Sequence, residues 1–153
     1  MGPRSEADRL RFRRTAAGMT QRELAAASGV KQSLIASVES GARQPSSNVR
    51  ARLDHALKIR PSVLLKHARH EVKARAAQSG CSDMRVFGSI AEGTDDPDSD
   101  VDLLIRFPAD ADIVDLLHLQ EDLSDLLTVP VDVVSDRSTS PSLNSATARA
   151  IPL

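Results

Sequence analysis

The residues best suited to chemistry lie between Phe87 and Ile105, FGSIAEGTDDPDSDVDLLI, where Gly88 and Gly93 precede Asp95, Asp96, Asp98, Asp100 and Asp102. Carboxylates crowded this closely repel one another, so the arrangement calls for a cationic partner. Asp100 and Asp102 alternate with apolar residues as in a strand, which sends both carboxylates to one face and Val101, Leu103 and Ile105 to the core. A later run, VDVV, sets Asp132 between valines. If that run pairs beside the first, three carboxylates share a site, and one or two Mg²⁺ ions would relieve their repulsion. Two such ions about 4 Å apart are a common device for displacing a group at phosphorus. Gly88 and Ser89 directly follow a short apolar run, where a backbone without side-chain bulk can turn its amides and the Ser89 hydroxyl toward phosphate oxygens.

Short apolar runs, MRVFG, VDLLIRF and VDVV, read as the strands that hold these residues. Between the last two, DIVDLLHLQEDLSDLL places Ile113, Leu116, Leu117, Leu123, Leu126 and Leu127 at helical spacing, with Asp110 or Asp112 near its start. The order strand, loop, strand, helix, strand predicts a small α/β domain. The tail that follows begins as a Ser/Thr/Pro loop, and residues 146–151 suit a closing helical turn or a partner contact.

Gly-Ser, ten residues, Asp-x-Asp and a later strand with Asp between valines together resemble the minimal nucleotidyltransferases of the DNA polymerase beta superfamily, over about 71–136. The resemblance implies that Asp100 and Asp102 bind Mg²⁺, that Asp132 is the third carboxylate and general base, and that Gly88 and Ser89 hold the triphosphate of ATP. Many members carry a basic residue where Glu92 stands here, so charge stabilisation is expected to fall to the metals, the backbone and Arg85 or Arg106. Asp95, Asp96 and Asp98 are expected to be solvated, or to form caps and turns beside Pro97.

The formal net charge of -1 conceals a split. Residues 1–70 hold 14 Lys and Arg against 5 Asp and Glu, while residues 71–153 hold 6 against 16. A basic half suits a polyanion. Within it, Thr20 and Glu23 form a capping box that starts a helix, Gly29 allows a tight turn, and a second helix follows in VKQSLIASVE before Gly41. Val30, Leu34, Ile35 and Val38 make its buried stripe, leaving Lys31, Gln32, Ser33 and Ser37 together on an outer face suited to base edges in a major groove.

TQRELAAASGVKQSLIASVESGARQPS resembles the helix-turn-helix of the Cro/repressor (XRE) family, and the similarity runs from about Leu10 to Leu65. It implies that Lys31, Gln32, Ser33 and Ser37 read bases, that Gln21 and Arg43 hold phosphates, and that Arg14 and Glu39 form a buried ion pair. Ser46 or Ser47 caps a further helix with Val49, Leu53, Ala56 and Leu57 on one face, and Pro61 opens another. The expected organisation is therefore an all-α helix-turn-helix domain over 5–66 and a small α/β nucleotidyltransferase domain over 67–153, with a long helix over 62–79 connecting them. Reading a two-part operator would need a homodimer, or a hetero-oligomer with a partner.

Other classes are disfavoured. Aromatics make up 2% of the chain, with no Trp or Tyr, so the stacking platforms that grip single strands are missing. His67 and His70 lack further ligands at zinc spacing, and Cys81 has no second cysteine to pair with. No apolar run is long enough for a membrane span, and the expected location is the cytoplasm. A nucleotidyltransferase this small resembles antitoxins encoded with a HEPN-type ribonuclease toxin. That resemblance implies AMP transfer from ATP to a toxin tyrosine, with double-stranded operator DNA bound for autorepression. The alternative is a catalytically inactive antitoxin that neutralises its toxin by contact alone.

Overall fold

The structure, a computed structural model, describes residues 4–138 and 140–153; Thr139, within the loop-like start of the tail, lies outside them. Two compact units divide between Ile59 and Arg60, earlier than the expected 66/67 boundary.

The first unit contains α1 (Glu6–Ala16), α2 (Gln21–Ser28), α3 (Gln32–Glu39) and α4 (Ser47–Ala56). Ser5 caps α1 by accepting from the Asp8 amide, and both halves of the Thr20–Glu23 capping box are present at α2. Gly29 ends α2 at φ +68°, and Arg52 of α4 donates to the carbonyls of Ser28 and Gly29, fixing the turn between α2 and α3. Leu24, Val30, Ile35, Val38, Leu53 and Leu57 are buried together, whereas Leu34 is only half-buried.

One charge sits in this core. The Glu39 side chain is 2% exposed and accepts from Arg14 Nε at 2.6 Å, Arg14 Nη2 at 2.9 Å and Gln21 Nε2 at 3.0 Å. Burial alone would raise the Glu39 pKa, but these hydrogen bonds and the charges of Arg14 and Arg11 outweigh it and hold the group below its ordinary value.

The second unit contains α5 (Pro61–His67), α6 (Arg69–Gln78), β1 (Ser82–Phe87), α7 (Gly88–Glu92), β2 (Val101–Arg106), α8 (Ile113–Leu127), β3 (Val131–Ser135), α9 (Pro141–Thr147) and β4 (Ile151–Pro152). The sheet order is β3-β2-β1-β4, with β2 and β3 parallel and the other pairs antiparallel. The parallel pair is forced by the crossover through α8. Val101, Leu103 and Ile105 are fully buried, as are Leu123 and Leu127 of α8.

Three expectations are corrected. The helix over 62–79 is broken at Ala68, which takes φ -98° and ψ 12° between α5 and α6; neither Pro nor Gly marks the break. On α8, Ile113 and Leu117 are 65% and 50% exposed, and Leu119 is buried instead. At about 100° per residue, Leu123, Leu126 and Leu127 lie within about 80° of Leu119, whereas Leu117 lies about 160° away. Over 146–151, expected to form a helical turn or a partner contact, α9 does end in a helical turn at Thr147, but the chain then continues into β4, which pairs Ile151 with Val86 on the outer edge of β1. No helix among the described residues is long and apolar enough to cross a membrane.

Replacing Arg14 by Ala strands the Glu39 charge and should destabilise the first unit by about 3–5 kcal/mol in urea melts followed by circular dichroism. Because the Glu39 pKa is lowered on folding, its stabilisation is present above the ordinary carboxylate value near about 4.3. It should fade as pH falls through the lower folded-state value, and Glu39→Gln should flatten that acid limb.

Candidate active site and nucleic-acid interface

The β2–β3 register sets Asp102 opposite Asp132, and the β1–β2 register sets Phe87 opposite Asp102. Paired residues share a face, so Asp102 and Asp132 project together, away from the buried side of Leu103 and Val133. Asp100 stands two residues before Asp102, just outside β2, where the Val101 amide donates to Pro130 O at 3.0 Å and ties the entries of the two strands together. Asp100 and Asp132 are exposed, while Asp102 is partly buried. Burial first, then the charges of Asp132 and Asp100, raise the Asp102 pKa. The three sequence-predicted carboxylates are thus brought into mutual electrostatic reach.

Gly88 takes φ +66°, and a Cβ there would overlap Asp102 Oδ2 and sit 3.2 Å from Asp102 Cγ. Only glycine lets the backbone turn from β1 into α7 against this carboxylate. No side chain caps the start of α7, so Ser89 enters the turn with amides unclaimed by a capping group. Among the described residues, no three His, Cys, Asp or Glu side chains converge closely enough to hold an ion. The carboxylates are gathered by the strand register. Their all-oxygen donor set and the raised Asp102 pKa both fit a hard divalent cation, whose binding would relieve the repulsion.

The surrounding charges depart from expectation. Asp95 is not solvated: it is 4% exposed and accepts from the Ser62 amide at 2.9 Å and Arg60 Nη2 at 2.7 Å. Asp96 does form the expected turn, accepting from the Asp98 amide at 2.8 Å. Arg106 is engaged with Asp136 at 2.8 Å and Asp83 at 3.1 Å, so it is not free to replace the missing cation. Arg85 lies 3.7 Å from Asp83, and its buried Nε has no hydrogen-bond partner. Arg60 is the partner of Asp95 that sequence reading missed; it lies 35 residues from Asp95, and no local spacing signals the pair.

In the first unit, Lys31, Gln32 and Ser33 are exposed at the start of α3, and Ser37 is half-buried one turn later. Gln32 Nε2 donates to Gln21 Oε1 at 2.9 Å, while Gln21 Nε2 donates to Glu39 at 3.0 Å. The ion pair of Arg14 and Glu39 thereby orients Gln21, which orients Gln32. One N–H and the carbonyl of Gln32 stay free, the pair of groups an adenine edge requires. Ser37 Oγ donates to Ser33 O at 3.0 Å and keeps its acceptor capacity. Arg43 is exposed beyond α3, its backbone held by Ser37 O at 3.2 Å.

A nucleotidyltransferase-domain family model matches residues 65–150, and a helix-turn-helix family model matches residues 10–64. The chain belongs to the nucleotidyltransferase family and carries a helix-turn-helix domain ahead of the transferase domain. A solved minimal nucleotidyltransferase is 39% identical with a TM-score of 0.53, over 60% of this chain and 95% of that one. A toxin-antitoxin structure with AMP-PNP is 22% identical, TM-score 0.49, over 54% and 69% of the two chains. The toxin-antitoxin MntA-HpeT is 19% identical, TM-score 0.46, over 56% and 69%. No curated protein matches the chain.

Since the folded-state pKa of Asp102 is raised, stability is lost as pH climbs above the ordinary carboxylate value, and it stays reduced at neutral pH. Asp102→Asn should therefore raise the Tm of the metal-free chain at pH 7, while added Mg²⁺ should raise the Tm of the wild type only. Gln32→Ala should narrow the discrimination between cognate and altered DNA sites by about 1–3 kcal/mol, whereas Arg43→Ala should weaken binding to all sequences alike in salt-controlled titrations.

Proposed function

We propose that this chain is the DNA-binding antitoxin of a toxin-antitoxin pair, transferring AMP from ATP to a tyrosine of a HEPN-type toxin and repressing its own operon. The observation that carries the catalytic part is the register of Asp102 against Asp132, with Gly88 packed on Asp102 and Asp100 beside them. Asp100, Asp102 and Asp132 would hold Mg²⁺, which when bound neutralises phosphate charge and favours the in-line geometry of transfer at phosphorus. Gly88 and Ser89 would hold the triphosphate through the turn that leads into α7.

The tyrosine oxygen attacks the α-phosphorus of ATP and a new O–P bond forms as the bond to the pyrophosphate oxygen breaks. The tyrosine proton passes to Asp132, and pyrophosphate departs. The toxin tyrosine then carries AMP. The antitoxin role is supported by the resemblance of the motif pattern to minimal nucleotidyltransferases that act on a partner toxin. Autorepression is supported by the exposed Lys31, Gln32 and Ser33 at the start of α3.

A second reading, an antitoxin that neutralises by contact alone, is favoured by Glu92. This carboxylate is exposed at the end of α7, where a phosphate-binding cation would serve transfer better. Co-expression with the product of the neighbouring gene separates the two. Intact mass should show one or more added AMP units on the partner with wild type and none with Asp100→Asn plus Asp102→Asn. A tightly bound but unmodified partner would leave only contact neutralisation.

A further inference from the structure

We infer that Arg60 and Asp95 form a latch that positions the loop carrying Asp100; this rests on the reading of Asp100 and Gly88 as parts of a nucleotide site. The loop runs from Gly93, which ends α7 at φ +72°, to Asp100 at the entry of β2. Its residues are exposed at 93, 94, 96, 97 and 98, so little apolar packing holds it. Asp95 is the exception, with its side chain 1% exposed.

Arg60 reaches this loop through several donors. Its Nε donates to Asp95 O at 2.7 Å, and its Nη2 donates to Asp95 Oδ1 at 2.7 Å and to Gly93 O at 3.4 Å. The other Asp95 oxygen accepts from the Ser62 amide at 2.9 Å, closing the start of α5, where no side chain of its own caps the helix. Burial would raise the Asp95 pKa, but the Ser62 hydrogen bond and the Arg60 interactions more than reverse it. The carboxylate is therefore held as an anion by structure, and is withdrawn from the group that could face a metal ion.

Beyond Asp95 the loop is self-closed. Asp96 N donates to Ser99 Oγ at 2.9 Å and Ser99 N donates to Asp96 O at 3.0 Å, so 96–99 behave as one turn. At the other end Thr94 N donates to Ser89 O at 2.9 Å. With both segments closed, the placement of Asp95 sets where the turn sits and hence where Asp100 enters β2. Arg60 and Asp95 touch no reacting atom in this account; they act through Asp100 and through the Ser89 turn.

The test combines amide hydrogen exchange over 93–100 in the ligand-free chain with calorimetric titration of Mn²⁺ and a non-hydrolysable ATP analogue. Arg60→Gln is the principal variant, because the Arg60 side chain is half exposed and glutamine keeps a hydrogen-bond donor for Asp95, and the protection of β2 and β3 amides reports whether the unit stays folded. Exchange over 93–100 should quicken about tenfold while amides of β2 and β3 keep their protection, and analogue affinity should fall about tenfold. Arg60→Lys should recover part of both. Unchanged loop exchange would overturn the latch. Faster exchange with undiminished analogue affinity would overturn its positioning role. A wild type that binds no analogue, yet shows the loop effect, would remove the nucleotide-site reading and with it the positioning role, leaving a latch of structural meaning only.

Discussion

Repulsion among carboxylates on one face of a parallel strand pair is the constraint around which the second unit is arranged. Because β2 and β3 run parallel with Asp102 opposite Asp132, the two charges cannot separate without breaking the register. That register is locked from behind by Leu103, Ile105, Leu123 and Leu127, all fully buried. The apolar side of the sheet therefore supplies the energy that keeps its acidic side crowded. Gly88 follows from the same constraint, since the turn after β1 runs against Asp102 and leaves no room for a side chain.

Three of the buried or partly buried carboxylates, Glu39, Asp95 and Asp102, are treated in opposite ways. Glu39 and Asp95 are matched by arginines and further donors, and their pKa values are lowered. Asp102 is faced by further carboxylates, and its pKa is raised. The first two are structural anions satisfied within the fold, whereas the third faces like charges, the arrangement that the proposed metal site would use. In the first unit the satisfied anion also has an outward consequence, because the chain of hydrogen bonds from Glu39 through Gln21 ends on Gln32 at the exposed start of α3.

What the sequence made legible was local. The capping box at Thr20 and Glu23 and the left-handed Gly29 each depend on residues a few positions apart, and each stands where spacing put it; of the Asp-x-Asp pair, Asp102 lies on β2 and Asp100 just before it. The pairing of Arg60 with Asp95 was invisible because it joins residues brought together only by the fold, so the acidic loop read as solvated residues or local caps and turns. The face of α8 was mis-centred because its leucines are too numerous for periodicity to choose among them. The short strand β4 carries too few residues for any pattern, and the break at Ala68 has no Pro or Gly to announce it.

The proposed metal site requires a divalent cation on the acidic face of β2 and β3. Electron paramagnetic resonance of Mn²⁺ titrated into the chain, with and without an ATP analogue, tests it most directly. Saturable binding that tightens with nucleotide is expected for the wild type and should be lost in Asp102→Asn. Equal Mn²⁺ binding by wild type and that variant would contradict it.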